Sequence, residues 1–256
     1  MGVRVTRELG TGDLAEFRRA GHALVDAVAD DLAVLPERAV WEPVPDELRA
    51  TLLGLALPDG PIGLEELAGL MAGDVLPHAM GNGHPAFFGW VNSPPALAGV
   101  LASLAAAAMN PSVVSGDHAD VHLERTAVRW LAELVGYPHA PGGGLLTSGA
   151  STATIVCLAG ARGRACAAAG HDVRGRGLAG GPRLVAYVPS EAHSCVSRAL
   201  ELLGFGRDSI RPVALPGGRL DADALRGAIA ADRAAGLTPA LLVGSAGTVN
   251  TGAIDP

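Results

Sequence analysis

The chain has 256 residues, 49% of them hydrophobic, and carries a net charge of −7. A chain of this length and apolar content can bury a substantial core, and its acidic balance excludes a basic surface of the kind that binds nucleic acid or anionic lipid. The longest apolar run is too short for a membrane span, and the sequence begins without a signal peptide. The three cysteines lack CxxC spacing. Together these features predict a cytoplasmic protein.

The N-terminal part of the chain is predicted to be helical. Asp13 begins a first helix, with Glu16 in capping-box spacing, and Pro36 ends it. Two shorter helical patterns follow over residues 46–57 and 62–78. The apolar face of the first helix must be buried, either on its own domain or on a second subunit.

Residues 84–93, with the sequence HPAFFGWVNS, gather Phe87, Phe88 and Trp90 within four positions. Aromatic residues make up only 4% of the chain. The cluster therefore indicates either a packed plug in the core or the wall of a pocket for a flat ligand. Taken alone, the residue types favour the core plug.

Two more helices are predicted over residues 95–109 and 117–135, the second capped by Asp117. His118 and His122 are spaced as a pair of zinc ligands would be on that second helix. No third and fourth ligand accompany them, so we predict surface or interface histidines and no metal site.

The stretch 142–153, with the sequence GGGLLTSGASTA, is the most informative part of the chain. Leu145 and Leu146 predict a short strand, a turn of small residues follows, and an alanine-rich helix begins at Ala150. Such a turn aims free backbone N–H groups and the positive end of the helix dipole at one point, where Ser151 adds a hydroxyl. A phosphate cradle fits this pattern best. A serine nucleophile elbow and a plain tight turn are the alternatives, and an elbow would have to use His171 or His193 as its base.

Strands and helices then alternate to the end of the sequence. Strands are predicted over residues 183–188, 210–215 and 240–243, and helices over 192–203 and 221–235. This alternation predicts a mainly parallel sheet covered by helices on both faces, with ligands bound at the carboxyl ends of the strands. The loops 189–194 and 244–250 should therefore lie at the ligand-binding edge.

The motifs HPAFFGW, TSGAST, VPSEAHSCVSRA and GSAGTVNTGAIDP, together with the helix holding Leu123 and Glu124, resemble the group II amino-acid decarboxylases that depend on pyridoxal phosphate (PLP). This family includes aromatic-L-amino-acid and glutamate decarboxylases. The resemblance implies the α/β large domain of PLP-dependent transferases of fold type I, the aspartate aminotransferase type, over residues 85–256. A helical dimerisation segment over residues 1–84 would precede it. It implies decarboxylation of an L-amino acid, an aromatic one because of the aromatic cluster, to the amine and CO2.

The resemblance also assigns roles to individual residues. Gly149, Ala150 and Ser151 would hold the cofactor phosphate. His193 would stack over the pyridine ring near the reacting carboxylate, and Thr248 would support the cofactor from the other side. Phe87 and Trp90 would be walls of the substrate pocket. Asn110 would belong to a segment that reaches the partner subunit's site, and Ser93 would lie near the phosphate. A homodimer with swapped N-terminal helices is implied as well.

One feature departs from the family pattern. All 19 basic residues are arginine, so the sequence contains no Schiff-base lysine, and the family's lysine and pyridine-binding aspartate come after the position of Pro256. We expect the chain to be an incomplete N-terminal part of a decarboxylase, inactive by itself and poorly soluble. The alternatives are a non-catalytic fragment, a PLP-dependent aldehyde synthase on the same scaffold and, third, a hydrolase.

Overall fold

Helices make up the first part of the chain, and a parallel sheet flanked by helices makes up the second. A computed structural model describes residues 13–57, 59–112, 116–137, 143–214 and 216–256. The chain divides into two units, Met1–Met109 and Asn110–Pro256. The dimerisation role predicted for residues 1–84 stays a prediction. No helix in the described part of the chain combines the length and the hydropathy that crossing a membrane requires.

The first unit contains the predicted helices with nearly the predicted bounds. They are α1 (Leu14–Val34), α2 (Asp46–Leu53), α3 (Leu64–Leu70) and α4 (Leu97–Met109). The Asp13 side chain caps α1 by accepting a hydrogen bond from the N–H of Ala15 at 2.8 Å. Glu16 accepts from the N–H of Leu64 at 2.7 Å, so the first turn of α1 also caps the start of α3. Helix α3 continues as a π-helical turn, Met71–Val75, and a 3-10 turn, Leu76–His78.

The second unit follows the predicted alternation of strands and helices. Its elements are α5 (Ala119–Leu134), α6 (Ala150–Ala168), α7 (Val173–Arg176), β1 (Leu184–Pro189), α8 (Cys195–Leu202), β2 (Ile210–Val213), α9 (Ala222–Ala234) and β3 (Thr238–Leu242). The three strands form one sheet in the order β2-β1-β3, and both pairings are parallel. The predicted parallel sheet is therefore confirmed.

Strand β1 lies in the centre of the sheet and all six of its residues are buried. Ala186 and Val188 face a core built with residues of α6 and α8, whereas Val185 and Tyr187 face a second core that includes Leu225 of α9. Successive side chains of a strand point to opposite faces, so β1 joins the two layers of helices through the sheet.

The only polar group that β1 brings into these cores is the Tyr187 hydroxyl, which donates a hydrogen bond to Asp232 Oδ2 at 2.9 Å. Asp232 also accepts from Arg211 Nε at 3.1 and 3.2 Å. Burial and the hydrogen bond to Asp232 raise the pKa of Tyr187 to about 12. The three side chains link α9 to β1 and β2 on the face of the sheet opposite α6 and α8.

Two local predictions are wrong. Leu145 and Leu146 lie in an extended segment without strand pairing to any described residue, and the Leu146 N–H donates instead to a carboxylate oxygen of Glu124 at 2.9 Å. Asp117 does not cap α5. His118 occupies the cap position, and Asp117 Oδ1 instead lies 2.5 Å from Nε2 of His122.

Candidate functional site

The N-terminus of α6 offers free hydrogen-bond donors. The first bond inside the helix runs from the N–H of Ala153 to the carbonyl of Gly149 at 3.1 Å, so the N–H groups of residues 149–152 precede the helical ladder. No side chain caps this end, and Ser151 is exposed. A Cβ built on Gly149 would meet no atom within 4 Å, so there is open space in front of the turn. Free donors, a hydroxyl and open space fit a phosphate group.

Side-chain hydroxyls hold the turn that leads into α6. Thr147 Oγ1 donates to the carbonyl of Gly149 at 3.0 Å, and Ser148 Oγ lies 3.5 Å from Thr152 Oγ1. Thr154 Oγ1 donates to the carbonyl of Ala150 at 2.8 Å. These bonds use carbonyl and hydroxyl groups and leave the N–H groups of the turn available, as an anion site requires.

The rival interpretation, a nucleophile elbow, needs a histidine that accepts the proton of Ser151. Neither candidate histidine has a hydrogen bond to Ser151 among the described contacts. His171 Nε2 lies 2.8 Å from the carbonyl of Gly177, and His193 Nδ1 accepts from the N–H of Cys195 at 3.1 Å. The geometry therefore favours the phosphate cradle.

His193 lies in the loop after β1, and its ring is exposed. Because Nδ1 accepts the N–H of Cys195, a neutral ring carries its proton on Nε2, which is left for a ligand. The Cys195 thiol lies 3.6 Å from the hydroxyl of Thr154, which joins the start of α8 to the beginning of α6. This contact places the His193 loop beside the cradle.

Thr248 lies in the loop after β3 and is only 9% exposed. Its Oγ1 is 2.6 Å from Thr251 Oγ1 and accepts from the N–H of Ala253 at 3.2 Å. The chain then turns back, so that Ala246 and Ile254 form an antiparallel bridge. The Thr248 hydroxyl is therefore held inside this turn, and the predicted contact of Thr248 with the cofactor stays a prediction.

A hydrogen bond joins the two loops at the carboxyl ends of β1 and β3. Asn250 Nδ2 donates to Glu191 Oε2 at 3.0 Å. The prediction that these loops share one edge of the sheet is confirmed. The sequence indicated both residues as polar members of the loops, but only their spatial pairing, 59 positions apart, identifies them as the link.

Asp255 was missed as a supporting residue. Its two carboxylate oxygens accept the backbone N–H groups of Leu220 at 2.7 Å and Ser245 at 2.8 Å. This carboxylate fixes the start of the Thr248 loop against the segment that precedes α9. The sequence signal was its place in the GAIDP motif.

Phe87 and Trp90, predicted as walls of the substrate pocket, and Ser93, predicted near the phosphate, lie in the first unit. The rings of Phe87 and Trp90 are 6.3 Å apart and tilted by 45°, and Trp90 is 73% exposed. Trp90 has a φ of 56°, a left-handed conformation that is strained for a bulky side chain. The Ser93 carbonyl accepts from Asn82 Nδ2 at 2.8 Å. Phe87 is half-buried, but Phe88 is 92% exposed and Trp90 is as open as stated, so the cluster does not fill a core and that first interpretation is wrong.

Asn110 directly follows α4 and begins the second unit. Its φ is 40°, which asparagine tolerates at the residue after a helix. The local conformation is thus explained by the end of α4, and its predicted reach into a partner's site stays a prediction.

His118 at the cap of α5 and His122 within the helix are each paired with a carboxylate. His118 Nδ1 lies 2.8 Å from Asp120 Oδ1, and this hydrogen bond holds the pKa of Asp120 below its usual range. His122 pairs with Asp117. Within the described ranges no three histidine, cysteine, aspartate or glutamate side chains gather as a metal site would require.

Known proteins resemble this chain over nearly its whole length. The family model described as "Pyridoxal-dependent decarboxylase conserved domain" matches residues 45–256. An aromatic-L-amino-acid decarboxylase of Bacillus atrophaeus is 29% identical, covering 94% of this chain and 48% of its own length. A phenylacetaldehyde synthase of Arabidopsis thaliana is 26% identical, covering 95% and 50%. The acidic amino acid decarboxylase GADL1 of Mus musculus is 29% identical, covering 84% and 38%.

A crystal structure of Oryza sativa TDC with PLP and tryptamine superposes with a TM-score of 0.80 at 26% identity, covering 96% of this chain and 52% of that one. The α/β fold predicted for PLP-dependent enzymes of fold type I is thereby confirmed, and PLP is the cofactor of the family. The chain spans about half the length of the curated relatives it matches. The family model covers the sheet and both loops at its carboxyl edge, and the chain therefore belongs to the pyridoxal-dependent decarboxylases.

Proposed function

We propose that the protein to which this chain belongs is a PLP-dependent decarboxylase that converts an aromatic L-amino acid to its amine and CO2. The observation that carries this proposal is the uncapped N-terminus of α6, with the exposed Ser151 hydroxyl, joined through Thr154 and Cys195 to the loop of His193. An anion site beside an available imidazole suits a flat, phosphorylated cofactor.

The N–H groups of Gly149, Ala150 and Ser151 and the Ser151 hydroxyl would hold the phosphate, with Ser93 near it. Their advantage is that none of these N–H groups has to give up a helical hydrogen bond to bind it. The positive end of the α6 dipole adds to the attraction. When bound, PLP supplies an electron sink that lets the α-carboxylate of an amino acid leave as CO2.

His193 would lie over the pyridine ring and Thr248 would support the ring from its other side. Since Nδ1 of His193 accepts the Cys195 N–H, its Nε2–H is the group that can donate to the substrate carboxylate and orient it. The bond between Asn250 and Glu191 holds the two loops together, so that both residues stay at the same edge of the sheet.

Phe87 and Trp90 would form the walls of the substrate pocket. The strained backbone and the exposure of Trp90 support a role in binding, because such strain persists chiefly at functional sites. Residues 50–124 contain no arginine and no lysine that could pair with the side-chain carboxylate of an acidic substrate. An aromatic substrate is therefore preferred over an acidic one.

The active protein would be a homodimer in which the N-terminal helices wrap the partner and the region of Asn110 reaches the partner's site. The broad exposed apolar surface of α4, including Leu97, Leu101 and Leu104, supports a buried environment for this helix in the assembly. By itself, the chain would bind PLP without a covalent bond and would not decarboxylate, since it has no lysine.

A second candidate function is an aldehyde synthase on the same scaffold. It is favoured by the similarity to the phenylacetaldehyde synthase of Arabidopsis thaliana over 95% of this chain. The two activities differ in their products, an amine or an aldehyde, so product analysis separates them.

The test starts with the intact mass of the protein from its native source. The purified protein is then incubated with PLP and tyrosine, tryptophan or glutamate, and CO2, amine and aldehyde are measured. We expect CO2 and amine from the aromatic substrates. Aldehyde in place of amine would establish the second candidate, and a protein of only 25.7 kDa that produces neither would leave a non-catalytic chain.

Trp90→Ala tests the pocket. We expect a change in the preference among the three substrates, whereas Trp41→Ala, which removes a ring of similar exposure in the same unit, should leave the preference unchanged. An unchanged preference in Trp90→Ala would overturn the assignment of the pocket wall.

A further inference from the structure

Glu124 contacts the segment that enters the phosphate cradle. It lies on α5, is partly buried, and its Oε1 accepts the N–H of Leu146 at 2.9 Å. Leu146 precedes the cap residue Gly149 by three positions. The carboxylate therefore binds the backbone immediately before the turn whose N–H groups face the anion site.

A second contact fixes the same segment on the same face of α5. A Cβ built on Gly144 would lie 2.8 Å from Cγ1 of Val128, so only glycine allows this close approach. Val128 follows Glu124 by one helical turn, and the two side chains share a face of the helix. The segment thus touches α5 at two points, Gly144 and Leu146.

Burial does not hold this segment in place. Leu145 is 59% exposed and Leu146 is 53% exposed, and residues 143–147 have no strand partner among the described residues. A hydrogen bond from a backbone N–H to a carboxylate is stronger than one between neutral groups. The bond to Glu124 is therefore a strong restraint on the position of the turn, beside the close approach of Gly144 to Val128.

We propose that Glu124 is a positioning residue for cofactor binding: it fixes Leu146 and thereby holds Thr147, Ser148 and Gly149 in the conformation that presents the N–H groups of α6 to a phosphate. This inference rests on the proposed function, since it assumes that the cradle binds the phosphate of PLP. Without the restraint, the turn must be ordered when the ligand binds. The affinity for the ligand is then multiplied by the fraction of chains whose turn is already ordered.

The test measures two quantities on the full chain and on three variants. The first is the dissociation constant of PLP, with inorganic phosphate as a competitor. The second is the hydrogen-exchange rate of the Leu146 amide. The variants are Glu124→Ala, Glu124→Gln, which keeps a hydrogen-bond acceptor, and Glu133→Ala, which removes the same charge from an exposed position of the same helix.

We expect Glu124→Ala to weaken PLP binding about tenfold, the effect of losing one charge-assisted hydrogen bond, and to expose the Leu146 amide to exchange. In Glu124→Gln, the dissociation constant of PLP and the exchange rate of the Leu146 amide should stay within about threefold of the wild type, since the amide oxygen accepts the same N–H. Glu133→Ala should match the wild type. Circular dichroism and the unfolding midpoint show whether Glu124→Ala has lost its fold. If it has, the comparison of Glu124→Gln with the wild type tests the positioning role.

The outcomes separate the two proposals. The positioning role is refuted if Glu124→Ala shows faster exchange at the Leu146 amide but binds PLP like the wild type. It is also refuted if Glu124→Gln binds PLP as poorly as a misfolded variant although its Leu146 amide is protected. If the wild type binds neither PLP nor phosphate, the proposed function itself fails, whatever the variants do.

Discussion

Removing the hydroxyl of Tyr187 tests how the scaffold beneath the site is held together. The side chain is 2% exposed, and its hydroxyl donates to Asp232 at 2.9 Å. Tyr187→Phe keeps the ring in the core and removes one hydrogen bond to a charged acceptor, a loss of about 1.5–3 kcal/mol. Asp232 keeps its bond to Arg211, so no carboxylate is left unpaired. We expect the free energy of unfolding to fall by about 2 kcal/mol.

The pH dependence gives a second magnitude, to which the same hydrogen bond contributes. Burial and the hydrogen bond to Asp232 raise the pKa of Tyr187 from 10.0 to about 12, a difference worth about 2.7 kcal/mol. Because the folded pKa is the higher one, this stabilisation is complete below pH 10 and is lost as the pH rises through about 12. The difference in stability between the wild type and Tyr187→Phe should therefore shrink over this interval.

The assay is urea unfolding followed by circular dichroism, at neutral pH and at several values between pH 10 and 12. Tyr137→Phe is the matched control, since Tyr137 is the chain's other tyrosine and is 69% exposed. In that control the ultraviolet titration reports Tyr187 alone. A loss below about 0.5 kcal/mol in Tyr187→Phe, the value typical of exposed substitutions, would refute the reasoning, as would a difference that stays constant with pH.

Three further predictions concern the site and the helix beside it. Ser151→Asp places a negative charge at the cradle and should weaken PLP binding at least about tenfold in a fluorescence titration, whereas the neutral Ser151→Asn should weaken it less. Asn250→Asp sets a second carboxylate against Glu191 and should open the two loops to limited proteolysis more than Asn250→Ala does; equal cleavage would contradict this. Asp120→Asn removes a carboxylate whose pKa is lowered by its hydrogen bond to His118. The wild type should therefore lose its advantage over this variant in unfolding experiments as the pH falls below about 3.8, and a constant advantage would argue against the bond.

Elements whose cause is local could be predicted from the sequence. Asp13 caps α1, and the apolar residues from Leu184 to Val188 form the central strand. The loop residues His193 and Asn250 could be placed at one edge of the sheet because parallel strands all end on the same side.

The failures come from side-chain partners that residue type alone does not indicate. The apolar pair Leu145–Leu146 resembles a strand in isolation, but its backbone partner is a carboxylate 22 positions earlier in the chain. The same applies to Asp117, a good cap residue by type, which pairs with His122 instead. Residue type and spacing cannot distinguish such partners until the chain has folded.

The strand order β2-β1-β3 also has a consequence for synthesis on the ribosome. Of the strands that the structure describes, the central one, β1, emerges first, and both of its edges stay open until β2 and then Thr238–Leu242 have been made. Its sequence, LVAYVP, carries no charge and is entirely buried in the finished sheet. An unpaired edge of this kind attracts other chains, so a pause in translation before β3 exposes the nascent protein to aggregation and makes it a client for chaperones.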